Sequence, residues 1–272
     1  MTSTAPATTT PLLFETNDGI ATVTLNRPGQ FNALSSSLVD ELQATFDGIA
    51  ADPAIRAVVL AANGRGFCAG HDLKEIRAMS EVSEVESLFA HCSRMMMTIT
   101  TLPQPVIAKV HGIATAAGCQ LVATCDLAVA STAAKFATPG VSIGAFCFTP
   151  AVALGRAVGR KHAMEMLVTG EMIGAQRAHE MGLVNRVVSP DALDAEVDGL
   201  AWVIASKSAA AIAAGKQAFY RQLDLSLDDA YGLAGQAIAC AFFSEDGREG
   251  VDAFLNKRPP SWKGRQQATR LE

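Results

Sequence analysis

The chain has no CxxC pair among its six cysteines (Cys68, Cys92, Cys119, Cys125, Cys147 and Cys240) and no HExxH among its five histidines. Those absences exclude the usual spacings of a disulfide scaffold or a zinc site, so reduced, buried thiols in a cytoplasmic protein are the plain expectation. No apolar run approaches the roughly 18 residues that span a bilayer. The opening stretch from Met1 to Pro11 carries no basic residue and reads as neither a signal nor a transit peptide. Charge of one sign is scarce as well: 22 basic against 27 acidic residues leave −5. That balance points to no nucleic-acid partner and no membrane-surface partner, while a local basic site for a phosphate stays open. What the chain does have is apolar content. With 49% hydrophobic and 18% charged residues over 272 positions, it can bury a sizeable core as one large or two modest domains.

Ile20-Ala21-Thr22-Val23-Thr24-Leu25 alternates as a half-buried strand does and ends at Asn26-Arg27-Pro28-Gly29. Ser35-Ser36-Ser37 offers caps for a helix whose Leu38, Leu42, Phe46 and Ile49 share a face, closed by Asp52-Pro53. A strand over Ile55–Leu60, helices over Asp72–Met79 and Glu84–Thr98, and a break at Leu102-Pro103-Gln104-Pro105 follow. Val106–Val110 reads as a strand, Ala117–Thr124 as a helix, Leu127–Ala130 as a strand and Pro139–Pro150 as a loop. Alternating strands and helices imply an α/β core. Beyond Val188 the strands stop, and Leu193–Phe243 reads as successive helices that either cap the core or build a subunit interface.

Two small-residue segments, Gly66-Phe67-Cys68-Ala69-Gly70-His71-Asp72-Leu73 and His111-Gly112-Ile113-Ala114-Thr115-Ala116-Ala117-Gly118-Cys119-Gln120, each follow a short apolar run that reads as a buried strand. Read as loops on neighbouring strands, they would let bare backbone N–H groups approach a ligand and aim two of them at one oxygen, which suits a carbonyl compound. Gly64-Arg65-Gly66-Phe67-Cys68-Ala69 also fits a loose dinucleotide fingerprint. That motif needs an acid at the end of a second strand about 20 residues on, and the acids in range, Glu81, Glu84 and Glu86, fall in a helical stretch. Gly215-Lys216-Gln217 likewise lacks the upstream glycine and the hydroxyl residue of a phosphate loop.

Phe67-Cys68-Ala69-Gly70-His71-Asp72-Leu73-Lys74, Pro105-Val106-Ile107-Ala108, the run from His111-Gly112 to Cys125-Asp126, and the segment from Thr169-Gly170 to Gly182-Leu183-Val184 resemble the enoyl-CoA hydratase/isomerase (crotonase) superfamily. Gly70–Glu75, Ala114–Ser131 and Phe136–Gly140 are similar, more narrowly, to a subgroup from animal mitochondria. The resemblance implies an α/β crotonase (ClpP-like) spiral of ββα turns. It implies a tail over residues 1–11, a core over 12–192 and a helical trimerisation region over 193–272. It also implies acyl-CoA thioester ligands, no separate cofactor and a homotrimer or dimer of trimers. Carried over by position, the oxyanion-hole N–H groups fall on His71 and on Ala117, where a helix begins and would add its positive end. Ala69 and Leu73 would give backbone contacts to the adenine half of CoA, and Arg27, Lys74 and Lys257 would be candidates for its phosphates, with ordinary surface charge the competing reading.

The family's two hydration glutamates are where this chain departs. One falls on Gln120, whose amide can bond a water but cannot take its proton, and the other on Gly140, which has no side chain. Nothing nearby repairs the loss, since Ser131 through Met164 contains no Asp or Glu. Each missing proton-transfer group costs on the order of 10²–10⁴ in rate. The expectation is an enzyme that binds acyl-CoA and stabilises a thioester enolate yet hydrates poorly, with isomerase, hydrolase or decarboxylase chemistry open, a non-catalytic carrier or sensor as the alternative and a vestigial assembly partner as a third. His71 is either a packing histidine bonded to backbone or a replacement acid/base. Cys147, between Phe146 and Phe148, reads as a buried apolar thiol rather than a nucleophile, and His111 as a structural hydrogen-bonding residue.

Overall fold

The computed structural model describes residues 10–263. Most of the expected tail over residues 1–11, and the end of the C-terminal region, therefore lie outside the described residues. The first element is a hairpin. β1 (Leu12–Asn17) and β2 (Ile20–Leu25) pair antiparallel across Asp18-Gly19, whose φ angles of 49° and 78° make the two-residue turn that suits right-handed strand twist. β1 was not expected from its pattern, because only Leu12 is buried in it. It is the edge strand of the large sheet.

Beyond the hairpin the chain winds as the spiral of ββα turns that the resemblance implies. α1 (Ser36–Ala51) leads into the first turn, made of β3 (Ala57–Ala62), β4 (Gly66–Cys68), α2 (Leu73–Ala78) and α3 (Val82–Thr101). β5 (Val106–Val110), β6 (Ile113–Thr115) and α4 (Ala117–Thr124) make the next. β7 (Leu127–Ser131), β8 (Lys135–Ala137) and α5 (Phe148–Ala157) make the third. α6 (Arg160–Thr169), β9 (Ile173–Gly174), α7 (Ala175–Glu180) and β10 (Arg186–Val188) complete the spiral. In the three turns the first strand joins a six-stranded sheet of order β1-β2-β3-β5-β7-β10 and the second a four-stranded sheet of order β4-β6-β8-β9, whereas of the last pair β9 joins the small sheet and β10 the large one.

The interior strands of the large sheet are parallel, and β3 is covered on both faces. Val58 and Leu60 point into the main core with Leu42 and Phe46 of α1 and Met95 and Ile99 of α3. Ala57, Val59 and Ala61 face the other way, onto Leu193, Val197 and Ala201. Those three residues belong to α8 (Leu193–Ala205), so the helical region begins with a helix that caps the sheet. α9 (Ala209–Gln222) and α10 (Leu227–Phe243) follow as expected, and α11 (Glu245–Leu255), capped by the Ser244 hydroxyl, extends the series by one helix.

Two local expectations change, and one rejected motif is seen for what it is. β3 starts at Ala57 rather than Ile55, because the Asp52-Pro53 turn runs on until the Ile55 N–H meets the Asp52 carbonyl. Pro139–Pro150 is not all loop: Pro139–Ile143 is a 3-10 helix and α5 begins at Phe148. The dinucleotide-like run at Gly64–Ala69 forms β4, not a turn into a helix.

Candidate functional site

The two small-residue segments meet because each carries a short strand. Gly66 and Cys68 of β4 pair in parallel with Ile113 and Ala114 of β6, which sets the two following turns side by side. At the first turn Gly70 has φ +92°, a conformation costly for any residue with a Cβ. There is no room for one either: a Cβ there would lie 2.8 Å from the Ala116 Cβ and 3.1 Å from the Ala117 nitrogen. A bridge to Leu34 then fixes His71. The Leu34 N–H donates to the Gly70 carbonyl (2.8 Å) and the Asp72 N–H to the Leu34 carbonyl (3.0 Å), so the His71 N–H itself faces away from that segment.

The segment carrying Leu34 is a built support. The Asn32 amide donates to the carbonyls of Asn63 and Gly66 (both 2.9 Å) and accepts from the Arg27 N–H. The Arg27 guanidinium holds the Ala33 carbonyl and pairs with Asp72 at 3.2 Å, while Asp72 caps α2 through the Lys74 N–H. Arg27, carried over as a phosphate contact, is thus already committed to this support. Lys74, Leu73 and Ala69 are exposed beside it, and the Ala69 carbonyl accepts from the Thr115 hydroxyl at 3.2 Å. Lys257 is elsewhere, in the turn after α11 with φ +52°, and α11 packs on α9 and α10.

At the second turn Ala116 adopts φ 51°, ψ −120°, a region that glycine favours, and its N–H donates to the Ala137 carbonyl (2.9 Å). This turns the chain sharply into α4, so that Ala117 opens the helix with an N–H that has no carbonyl one turn earlier to bond. Gly118 presses α4 against β4: a Cβ on it would lie 2.0 Å from the Cys68 carbonyl oxygen. Nothing in the sequence signalled Ala116, since a left-handed turn is normally read from glycine or asparagine.

Charge at the first turn comes from the Arg27–Asp72 pair and from Glu75, which acts on His71, while Gln120 and Thr138 are neutral. The His71 ring packs on Phe89 of α3 with centroids 4.5 Å apart, and its Nε2 is buried with no hydrogen-bond partner among the described residues. Burial lowers its pKa from 6.5 to about 4, against an opposing pull from Glu75, so the imidazole is uncharged at neutral pH, which makes it a poor general acid and leaves it in its base form. The packing role expected of His71 is seen; the backbone bond is not. Gln120 is 5% exposed and its Oε1 also has no partner, as is true of the Thr138 hydroxyl. Gly140 is buried, and its N–H donates to the Cys147 sulfur at 3.3 Å. A Cβ at Gly140 would lie 2.9 Å from that sulfur and 2.9 Å from the Ala145 carbonyl oxygen. The Cys147 thiol is pushed up by burial, partly offset by that N–H, and is not a ready nucleophile. His111 takes the structural part expected of it, with Nε2 at 2.9 Å from the Gly64 carbonyl oxygen.

Two further features stand apart from this site. Lys216 reaches inward to Asp126 at 2.6 Å and to the carbonyls of Ile99 and Gln104, and Tyr220 bonds the other Asp126 oxygen. A cleft of about 300 Å³ is bordered by Glu245, Arg248, Glu249, Asp252, Ser261 and Lys263, on α11 and the segment after it. Glu249 there is already held by Arg258 and the Ser261 N–H.

Residues 15–266 match the family model described as enoyl-CoA hydratase/isomerase. The chain is 46% identical over 254 residues to a Xenopus laevis protein named enoyl-CoA hydratase domain-containing protein 3, mitochondrial, which covers 93% of this chain and 86% of that one. A solved structure described as an enoyl-CoA hydratase of Mycobacterium smegmatis superposes with a TM-score of 0.92 at 53% identity, covering 93% of this chain and 99% of the other. The crystal structure of human enoyl-CoA hydratase domain-containing protein 3 does so with a TM-score of 0.91 at 45% identity, covering 93% and 100%. The narrower likeness to an animal mitochondrial subgroup thus holds. The same finding corrects the expected cytoplasmic placement, because the Xenopus, rat and human relatives are all named as mitochondrial. That placement rested on free thiols and an unremarkable N-terminus. Thiols report redox conditions rather than address, and an address is read by receptors, not by the fold.

Proposed function

Because the chain belongs to the enoyl-CoA hydratase/isomerase family, we propose that it binds acyl-CoA thioesters and polarises the thioester carbonyl between the N–H groups of His71 and Ala117. The observation that carries this reading is the contact of the two turns, where the Gly70 backbone leaves no space for a Cβ beside Ala116 and Ala117. Two N–H groups held by paired strands need no reorganisation when negative charge builds on an oxygen, and the start of α4 adds its positive end. The exposed surface at Ala69, Leu73 and Lys74 would take the CoA portion. Lys257 would meet its phosphates only across a subunit boundary, which fits an assembly as a homotrimer or dimer of trimers.

The chemistry stops at polarisation. Gln120 and Gly140 supply no carboxylate, and burial leaves His71 a weak base and a poor acid at working pH. Efficient hydration is therefore not the reaction, and the same absence favours a carrier or sensor as the second reading. Titration calorimetry with butyryl-CoA at low salt tests binding directly. Saturable binding is expected, weakened about tenfold in Ala117→Pro, which removes one N–H at the first position of α4, where no intrahelical bond is lost. Absence of binding to the unaltered protein would sink the proposal.

A further inference from the structure

The turn of the spiral that carries the Ala117 N–H runs from β5 through β6 and α4, and its two ends are tied together. Asp126, two residues past the end of α4, accepts through Oδ2 from the Val106 N–H that opens β5, at 2.7 Å. The same oxygen takes the Lys216 ammonium at 2.6 Å, and Oδ1 takes the Tyr220 hydroxyl at 2.9 Å. Lys216 and Tyr220 are one turn apart on α9, so a single helix face presents both donors. Lys216 directs its other two N–H groups to the carbonyls of Ile99 (2.8 Å) and Gln104 (3.0 Å), which leaves all three of its donors bonded. Both side chains are largely withdrawn from water. A buried pair of this kind adds little net stability, because desolvation consumes most of the attraction, so the geometry that it fixes is its more informative property.

What it fixes is α4. That helix has eight residues and is about 12 Å long. Its first turn is seated on β4 through Gly118, which lies against the Cys68 carbonyl with no room for a Cβ. Its last turn runs on through Cys125, whose N–H still bonds the Leu121 carbonyl at 3.2 Å, directly into Asp126. A short hydrogen-bonded rod held at both ends cannot slide or tilt without moving the N–H at its start. Resting on the acyl-CoA reading above, we infer that Asp126, clamped by Lys216 and Tyr220 of α9, is a positioning residue that sets the Ala117 N–H against the thioester carbonyl. The clamp comes from the C-terminal helical region, so the second half of the oxyanion site is held from outside the spiral that builds it. Displacing a preorganised donor by about 1 Å is enough to lose much of its effect, even when the change lies far from the ligand.

The test is infrared difference spectroscopy of the thioester carbonyl of butyryl-CoA bound to the full chain. Calorimetry on the same samples gives the affinities for butyryl-CoA and for S-butyl-CoA, a thioether that lacks the carbonyl. The lowering of the carbonyl stretch on binding reads polarisation, and the affinity ratio of the two ligands reads the N–H groups alone. Neither reading moves when a folded protein merely melts at a lower temperature. In the unaltered protein the stretch should fall on binding, and butyryl-CoA should bind more tightly than the thioether. In Lys216→Met the lowering should shrink by about half, as one of two donors is displaced, and the affinity ratio should fall about tenfold while thioether binding is kept. Tyr220→Phe keeps the ion pair and should move the ratio in the same direction by about two- to threefold, and it decides the question alone if Lys216→Met does not fold. Readings equal to those of the unaltered protein in every variant that folds overturn the inference and leave the acyl-CoA reading standing. Binding of butyryl-CoA to the unaltered protein with no change in the stretch overturns the inference and the oxyanion site together, while acyl-CoA binding stands. Failure of the unaltered protein to bind butyryl-CoA overturns both readings.

Discussion

At the scale of single residues, what this site lacks is as specific as what it holds. The loss of two carboxylates was legible in the sequence, but only the structure shows that Gly140 cannot regain one by simple replacement: its missing Cβ position is crowded by the Cys147 sulfur and the Ala145 carbonyl. Overpacking at such a place costs about 1–3 kcal/mol before any carboxylate is positioned. His71 gives a pH-dependent signature. Its folded pKa of about 4 lies below the ordinary 6.5, so the unfolded chain binds a proton that the folded chain refuses. The stability it contributes is complete above about pH 6.5 and is lost as pH falls towards about 4, by at most about 3 kcal/mol. Urea melts of wild type and His71→Gln, compared between about pH 7 and about pH 4.5, should show wild type losing ground steadily as pH falls. A difference that stays constant with pH would mean that the imidazole is not desolvated. Neither the Phe89 contact nor the strained Ala116 was legible, because both depend on which turns of chain are brought together.

At the scale of elements, the long, strongly periodic segments were readable and the short ones were not. α1 starts from the expected serine cap and buries Leu38, Leu42, Phe46 and Ile49 on one face, and Val106–Val110 has the bounds expected of it, since a capped amphipathic stretch and a buried apolar run carry their own signal. β4 and β6 are three residues each, too short to show a period, and their identity lies in pairing with each other. Those two strands place the site, so the loops were recognised while the reason they meet was hidden. Lys216 is a similar case. In sequence it looked like a fragment of a phosphate loop, whereas in the fold its side chain is 6% exposed and joins α9 to Asp126 at the end of α4. Desolvation lowers the Lys216 pKa and Asp126 opposes it, which is the mark of a buried pair. Lys216→Met should cost about 3–5 kcal/mol in chemical denaturation, because it strands a buried carboxylate. Adding Asp126→Asn should recover part of that loss, and strictly additive effects would show that the two side chains act independently.

At the scale of the whole molecule, the interior of the large sheet at β3 is covered on both faces and the C-terminal helices are not. α10 has no buried residue, and Leu227, Tyr231 and Phe243 are each about three-quarters exposed. Phe254 on α11 is 83% exposed. Apolar surface on that scale calls for a partner. Light scattering at micromolar concentration should give a mass that is a multiple of three of the 28.4 kDa chain. The mass of a single chain would contradict the proposed assembly and remove the route by which Lys257 reaches a bound CoA.

The most direct test of the account is a side-by-side measurement of crotonyl-CoA hydration by this chain and by a relative that carries both carboxylates, with butyryl-CoA binding determined on the same samples. The account predicts that both proteins bind the saturated thioester while this chain hydrates at least about 10²-fold more slowly, the least that losing proton-transfer groups acting on one water would cost. Hydration within about tenfold of the relative would contradict it, because some other residue would then have to be moving the proton.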